Sequence, residues 1–315
     1  MRCWFAASEV QARSRAAPRG EAAARLTDAM AGADTAEDYA ADVVRVVGAH
    51  TVRVARRDLQ QDDFQDANFF DEDYSVAATT GFSVWEGARM LLDMLLDGVG
   101  DDQTVDRGVG GETCAEALSG LRGRRVLELG AGTGFAGLAL AAAGCRVLLT
   151  DLPAVVEQSV VPNLAMNALE GVAGGDEGEE AGSGWAGEVA VGDGFAAAAA
   201  FDWTKPVTAE GMGNDPRRAE VLVAAEALWL RELVEPFVAT VAACLAPRGG
   251  ASHCLLAFRD RAGEASETFA GKAVVLEAFA AAGCAVRELA ALASKEEPGR
   301  SVVLMRITAT DYKPI

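Results

Sequence analysis

The stretch Val126-Leu-Glu-Leu-Gly-Ala-Gly-Thr-Gly134 decides the fold. A short apolar run from Arg124 ends at Leu129, three alternate glycines follow, and Phe135-Ala-Gly-Leu-Ala-Leu-Ala-Ala-Ala-Gly144 continues as a helical segment. Glycine tolerates left-handed backbone and lets a ligand approach closely. The first turn of the helix presents unpaired N–H groups at the same place. A second apolar run, Cys145 to Asp151, precedes a longer helical stretch over 153–170, so the strand–helix unit repeats. Alternation of this kind builds a mainly parallel sheet with helices on both faces.

Further along, 188–192 reads as a weak strand and 192–218 as irregular. Residues 219–228 form a buried strand with a helix running through Leu245 behind it, and 252–260 form the next strand. A helix over 269–283 follows. Two strands close the chain, 285–290 and 301–309, close enough in sequence to pair antiparallel. Upstream, alternating valines over 42–57 predict a β-hairpin turning at Gly48. Val84, Trp85, Ala88, Leu91, Leu92, Leu95 and Leu96 fall at helical spacing, with Ser83 as cap and Glu86 completing a capping box.

Three units emerge: 1–35, an Arg- and Ala-rich start that fits a disordered or targeting segment; 36–79, the hairpin and an acidic, aromatic loop over 60–75; and 80–315, the main domain. Within the last, 98–113 is a Gly- and Asp-rich loop and 171–187 reads as a mobile low-complexity insertion.

The 315 residues carry a net charge of −19, which argues against nucleic acid binding through a basic footprint. No apolar run reaches the length of a membrane span. The six cysteines lack CxxC spacing, and His253 and Cys254 would point to opposite faces of a strand, so no metal site is expected and the thiols read as reduced.

Two cofactor classes use a glycine turn of this type. The dinucleotide fingerprint GxGxxG, counted from Gly130, places Phe135 where a small residue permits close helix packing. Counted from Gly132 it is satisfied in letters through Gly137, but its first glycine then falls late after Leu129. The alternative, an acid at the strand end followed by GxGxG, is Glu128-Leu-Gly130-Ala-Gly132-Thr-Gly134. This arrangement resembles the adenosylmethionine loop of class I methyltransferases. Glu128 would help balance the positive methionine end, and Asp151 would accept from the ribose hydroxyls.

Four elements in order extend the resemblance: Thr80, Gly81, Val84, Trp85 and Ala88; Val126 to Gly137, with Phe135 where leucine is usual; Thr150-Asp151-Leu152-Pro153 with Asn163 and Asn167; and Phe201-Asp202-Trp203. Together they resemble the seven-strand, non-SET protein-lysine methyltransferases of methyltransferase family 16. The resemblance implies a Rossmann-like seven-stranded sheet with one antiparallel C-terminal strand, preceded by the hairpin. It implies S-adenosyl-L-methionine as cofactor, held by Trp85, Glu128, the Gly130-Ala131-Gly132 backbone with Gly134, Asp151 and Leu152, Asp202, Trp203 and Ala225. Trp203 would pack on the adenine, Asp202 accept from its amino group, and Ala225 leave room for the methionine portion. The candidate catalytic residue is Glu226, where the family usually has Asp, with Trp229 as the following aromatic.

The expected function is methyl transfer to a lysine ε-amine of a protein substrate. A histidine, an N-terminus or a small molecule as acceptor stays open, as does a catalytically silent module of the same fold. A cytoplasmic monomer without nucleic acid or membrane partners is expected, with the nucleus and an organelle left open.

Overall fold

The computed structural model describes residues 42–56, 80–97, 120–169, 184–207, 214–261 and 266–310. Strand β3 (Arg125–Leu129) lies mid-sheet between β4 (Arg146–Asp151) and β7 (Val221–Ala225), parallel to both. Its position follows from its sequence. Val126, Leu127 and Leu129 are fully buried, and a strand apolar on both faces needs both faces covered.

Outward on one side lie β6 (Gly194–Ala200) and β5 (Val189–Val191); on the other lie β8 (His253–Arg259), β10 (Ser301–Ala309) and β9 (Cys284–Ala293). β10 runs antiparallel to both β8 and β9. The expected seven-strand sheet is therefore present, and the short antiparallel β5 adds an eighth strand at the far edge. Helices α1 (Glu86–Leu96), α2 (Phe135–Ala142) and α3 cover one face. Helix α3 runs from Pro153–Val155 through a π-helical stretch, Val156–Val160, into Val161–Asn167. Helices α4 (Val234–Cys244) and α5 (Lys272–Ala281) cover the other face through Phe237, Val241, Val275 and Phe279.

Three expectations need correction. Residues 194–200, read as irregular, form β6. Alanine carries little strand signal, but the open edge of β4 pairs six positions, from Arg146 opposite Phe195 to Asp151 opposite Ala200. The insertion expected to be mobile over 171–187 ends in an anchor: Trp185 is buried, and its indole N–H donates to the Arg146 carbonyl at 2.9 Å. The rest of that insertion, 171–183, lies outside the described residues, as do 1–35, the acidic loop at 60–75 and the loop at 98–113. Finally, Ser83 and Glu86 do not form a capping box. Trp85 occupies the N-cap without a side-chain cap bond. Glu86 is buried, accepts from the Ser294 hydroxyl and from Lys295 N–H at 2.6 Å, and pairs with Arg259 at 3.0 Å. A buried guanidinium outcompetes a frayed backbone N–H for the carboxylate.

The hairpin of β1 (Asp42–Val47) and β2 (His50–Ala55) forms its own two-stranded sheet, turning at Gly48 in left-handed conformation. It docks through two asparagines on α3. Asn163 accepts from Ala55 N–H at 2.8 Å and donates to the Ala55 carbonyl at 3.2 Å. Asn167 makes the equivalent pair with Arg53, at 2.9 and 2.6 Å. The spacing is a physical match: four helical residues rise about 6 Å and two strand residues about 6.6 Å. Asn163 also donates to the Thr133 carbonyl at 2.9 Å, joining the hairpin to the glycine turn. Because it is 1 % exposed, truncation strands its partners without water. Asn163→Ala is expected to lower unfolding stability by about 2–4 kcal/mol, read from urea denaturation midpoints.

Candidate functional site

The glycine turn is built as its sequence requires. Gly130, Gly132 and Gly134 all have positive φ, at 71°, 56° and 75°. Ala131 N–H donates to the Thr150 carbonyl at 2.9 Å and Gly134 N–H to the Ala131 carbonyl at 2.7 Å, which pins the loop to the end of β4. A Cβ on Gly130 would lie 2.7 Å from the Ala227 methyl and 3.0 Å from the Trp203 ring, so space as well as conformation excludes a side chain. Asp151 closes the turn: its carboxylate accepts from Gly132 N–H at 2.8 Å and from Leu152 N–H at 2.7 Å.

Above this turn lies a cavity of about 370 Å³ at the C-terminal ends of the parallel strands, within the range of small-molecule sites and at the place where open α/β sheets bind ligands. Trp85, Glu128, Gly130, Ala131, Gly132, Asp151, Leu152, Asp202, Trp203, Ala225 and Glu226 all line it. Gly134 does not: it is the N-cap of α2, its backbone beneath the loop. Trp203 stands edge-on to Phe237 at 5.6 Å, which fixes its ring against the glycine turn. Trp85 is held by its own N–H, which donates to the Thr80 carbonyl at 3.0 Å. Asp202 organises its own turn, accepting from Thr204 N–H at 3.0 Å and the Thr204 hydroxyl at 2.6 Å and pairing with Lys205 at 3.2 Å. The hydroxyl bond from Thr204 holds its carboxyl below the usual range.

Glu226 lines the same cavity. Its φ of 52° makes it the single non-glycine residue with positive φ among those described. Such outliers persist where surrounding structure over-determines them. Its side chain crosses the bare Cα of Gly87, where an added Cβ would meet it at 2.4 Å; glycine inside a helix ordinarily costs about 1 kcal/mol, so the close approach accounts for it. One carboxylate oxygen lies 2.7 Å from Arg259 Nε, as an ion pair without hydrogen-bond alignment, and the other accepts from Arg261 Nη2 at 2.9 Å. Burial pushes the Glu226 carboxyl up, while the two guanidiniums pull it down. Arg259, Arg261 and Phe269 carry no motif and were not legible in the sequence. The glycine within α1 was the available hint that something large passes over it.

Residues 68–173 match the family model described as lysine methyltransferase. The chain is 37 % identical over 75 residues to mouse EEF1A lysine methyltransferase 3, covering 24 % of each protein, so the matched segment spans about a quarter of that relative. Among solved structures it is similar to a 16S rRNA N2 G1207 methyltransferase of T. thermophilus in complex with AdoMet and guanosine, at 18 % identity and TM-score 0.44 over 85 % of this chain and 50 % of that one. A TehB-like SAM-dependent methyltransferase of Corynebacterium glutamicum aligns at 17 % identity and TM-score 0.38 over 74 % and 91 %. The family segment ends shortly after Asn167, so it contains the glycine turn, Asp151 and Trp85 but neither Trp203 nor Glu226.

The strand-end acid Glu128 is 2 % exposed, and its carboxylate accepts from Gly137 N–H at 3.1 Å. Burial pushes its pKa up to about 8; the charge of Asp151 adds to the rise and the Gly137 bond opposes it. Unfolded, the group ionises near its ordinary 4.5. Between those values the folded chain holds a proton that the unfolded chain has lost, so this contribution to stability is complete below about pH 4.5 and fades as pH rises towards 8. The stability difference between native protein and Glu128→Gln is therefore expected to shift in favour of the variant by up to about 4 kcal/mol between pH 5 and pH 8, measured by urea unfolding at intermediate pH values.

Proposed function

We propose that this chain is an S-adenosylmethionine-dependent N-methyltransferase that acts on the ε-amine of a lysine in a protein substrate. One observation carries the reading: one cavity is lined both by the glycine turn, Asp151 and Trp203 and by Trp85, Glu226 and Trp229. The first group of residues suits an adenosyl cofactor. The Gly130–Gly132 turn lines the cavity, Asp151 offers acceptor capacity beyond its two backbone bonds, and Trp203 offers an aromatic face. The cofactor supplies a methyl group already activated on a positively charged sulfur.

What remains for the protein is to position an amine and keep it unprotonated. A lysine amine with its ordinary pKa near 10.4 is almost wholly charged at neutral pH and has no lone pair to offer. Withdrawal from water between Trp85 and Trp229 lowers that pKa, and Glu226 Oε2 receives an N–H of the entering ammonium, orients it and takes up the proton that leaves before the nitrogen attacks. Alignment of this kind can contribute on the order of 7 kcal/mol in well-oriented systems. The family match and the EEF1A-directed activity in the mouse relative's name support a protein acceptor. A monomer working in the cytoplasm, without nucleic acid or membrane partners, completes the proposal.

Isothermal titration with adenosylhomocysteine tests the site assignment. Asp151→Ala is expected to weaken binding on the order of 100-fold, the loss expected for charge-assisted hydrogen bonds. Glu226→Ala is expected to retain binding while losing methylation of lysate proteins by labelled adenosylmethionine. Unchanged binding in Asp151→Ala, or labelling of small metabolites alone, overturns the reading.

A further inference from the structure

Among the described residues, Arg261 is the one arginine or lysine lining the cavity. Its guanidinium carbon lies 5.0 Å from the centre of the Trp85 ring, and its Nη2 donates to Glu226 at 2.9 Å. A cation set on an aromatic face with a carboxylate in hydrogen-bond reach is the arrangement by which proteins bind ammonium groups. The second arginine at Glu226 is of another kind. Arg259 has a side chain only 2 % exposed, tied also to Glu86 at 3.0 Å and to Glu297 at 2.7 Å. Its charge is matched by acids on α1 and beyond β9, and it belongs to the framework. Glu226 is shared between the two arginines, and its partner among the cavity-lining residues is Arg261, whose side chain is 15 % exposed.

We infer that the Trp85 face and the Glu226 carboxylate form the seat for the acceptor's cationic group, and that Arg261 is the seat's resident cation, displaced when a substrate amine enters. The inference rests on the methyltransferase reading. Displacement rather than addition follows from occupancy: Arg261 already takes the Trp85 face and one oxygen of Glu226, and an ammonium entering beside it would meet a like charge at close range. Desolvation within the cavity lowers the pKa of Arg261 and the charge of Glu226 opposes that fall. Arg261 is on this account a specificity residue. A free primary amine competes poorly with a tethered guanidinium, whereas a lysine carried by a protein that makes further contacts can displace it.

The probe is n-butylammonium chloride, a lysine side-chain mimic, titrated against protein saturated with adenosylhomocysteine and followed by tryptophan fluorescence. Arg261→Gln is expected to bind it about tenfold more tightly than native protein, as removal of a competing cation requires. Arg261→Met, a second neutral variant, is expected to behave alike, and Arg261→Lys to remain near native. The gain should vanish in Arg261→Gln/Glu226→Gln and in Arg261→Gln/Trp85→Leu. Unchanged or weaker binding in both neutral variants, a gain that survives loss of Glu226, or no saturable binding in any variant overturns the inference. Adenosylhomocysteine separates the two claims. Failure of native protein to bind it defeats the methyltransferase reading, whereas normal binding without the butylammonium gain defeats the role of Arg261 alone.

Discussion

The backbone between Leu129 and Phe135 must reverse within five residues while leaving its outer surface bare, and it does so by passing three times through left-handed conformation. An L-residue pays roughly 1–2 kcal/mol at each such position, and glycine pays almost nothing. Everything at the site is referenced to this turn. Asp151 holds it from β4, Asn163 reaches it from α3, and the Gly81 carbonyl would lie 3.2 Å from a Cβ placed on Gly132. The bare Cα of Gly130 lets Trp203 and Ala227 pack directly against the turn.

A second constraint sits at Glu226. Arg259, on β8, holds Glu86 of α1, Glu226 after β7 and Glu297 beyond β9 around one guanidinium. Burying such a cluster brings a desolvation penalty that mutual attraction repays only when partners are well placed. Its value lies in position rather than stability. It locks α1 to the C-terminal hairpin of the sheet and presents Glu226 at a fixed place. The strained backbone at Glu226 and the missing side chain at Gly87 are the local costs of that placement.

Much of the fold was legible because it rests on local rules. Short, mainly apolar runs announced β3, β4, β7 and β8, and the helical spacing from Val84 to Leu96 announced α1. The asparagines at 163 and 167 were visible only as part of a resemblance; the structure supplies their reason, a four-residue helical step matched to a two-residue strand step. Where local signal was weak, the reading failed. Five alanines in a row carry no strand preference, and β6 forms because β4 offers an unpaired edge. Glu86 satisfied the letters of a capping box, but a buried arginine 173 positions away was the stronger partner.

The sequence by itself determined the glycine turn, the acids at the ends of β3 and β4, and the helix that carries Trp85, because conformational cost and hydrophobic period act between neighbours. Only the tertiary structure decided which charges meet. Glu226 could be placed at the end of its strand from sequence, but its contact with Arg261 spans 35 positions and that of Arg259 with Glu86 spans 173. Coulomb energy depends on distance and burial, and neither is defined until the chain has folded.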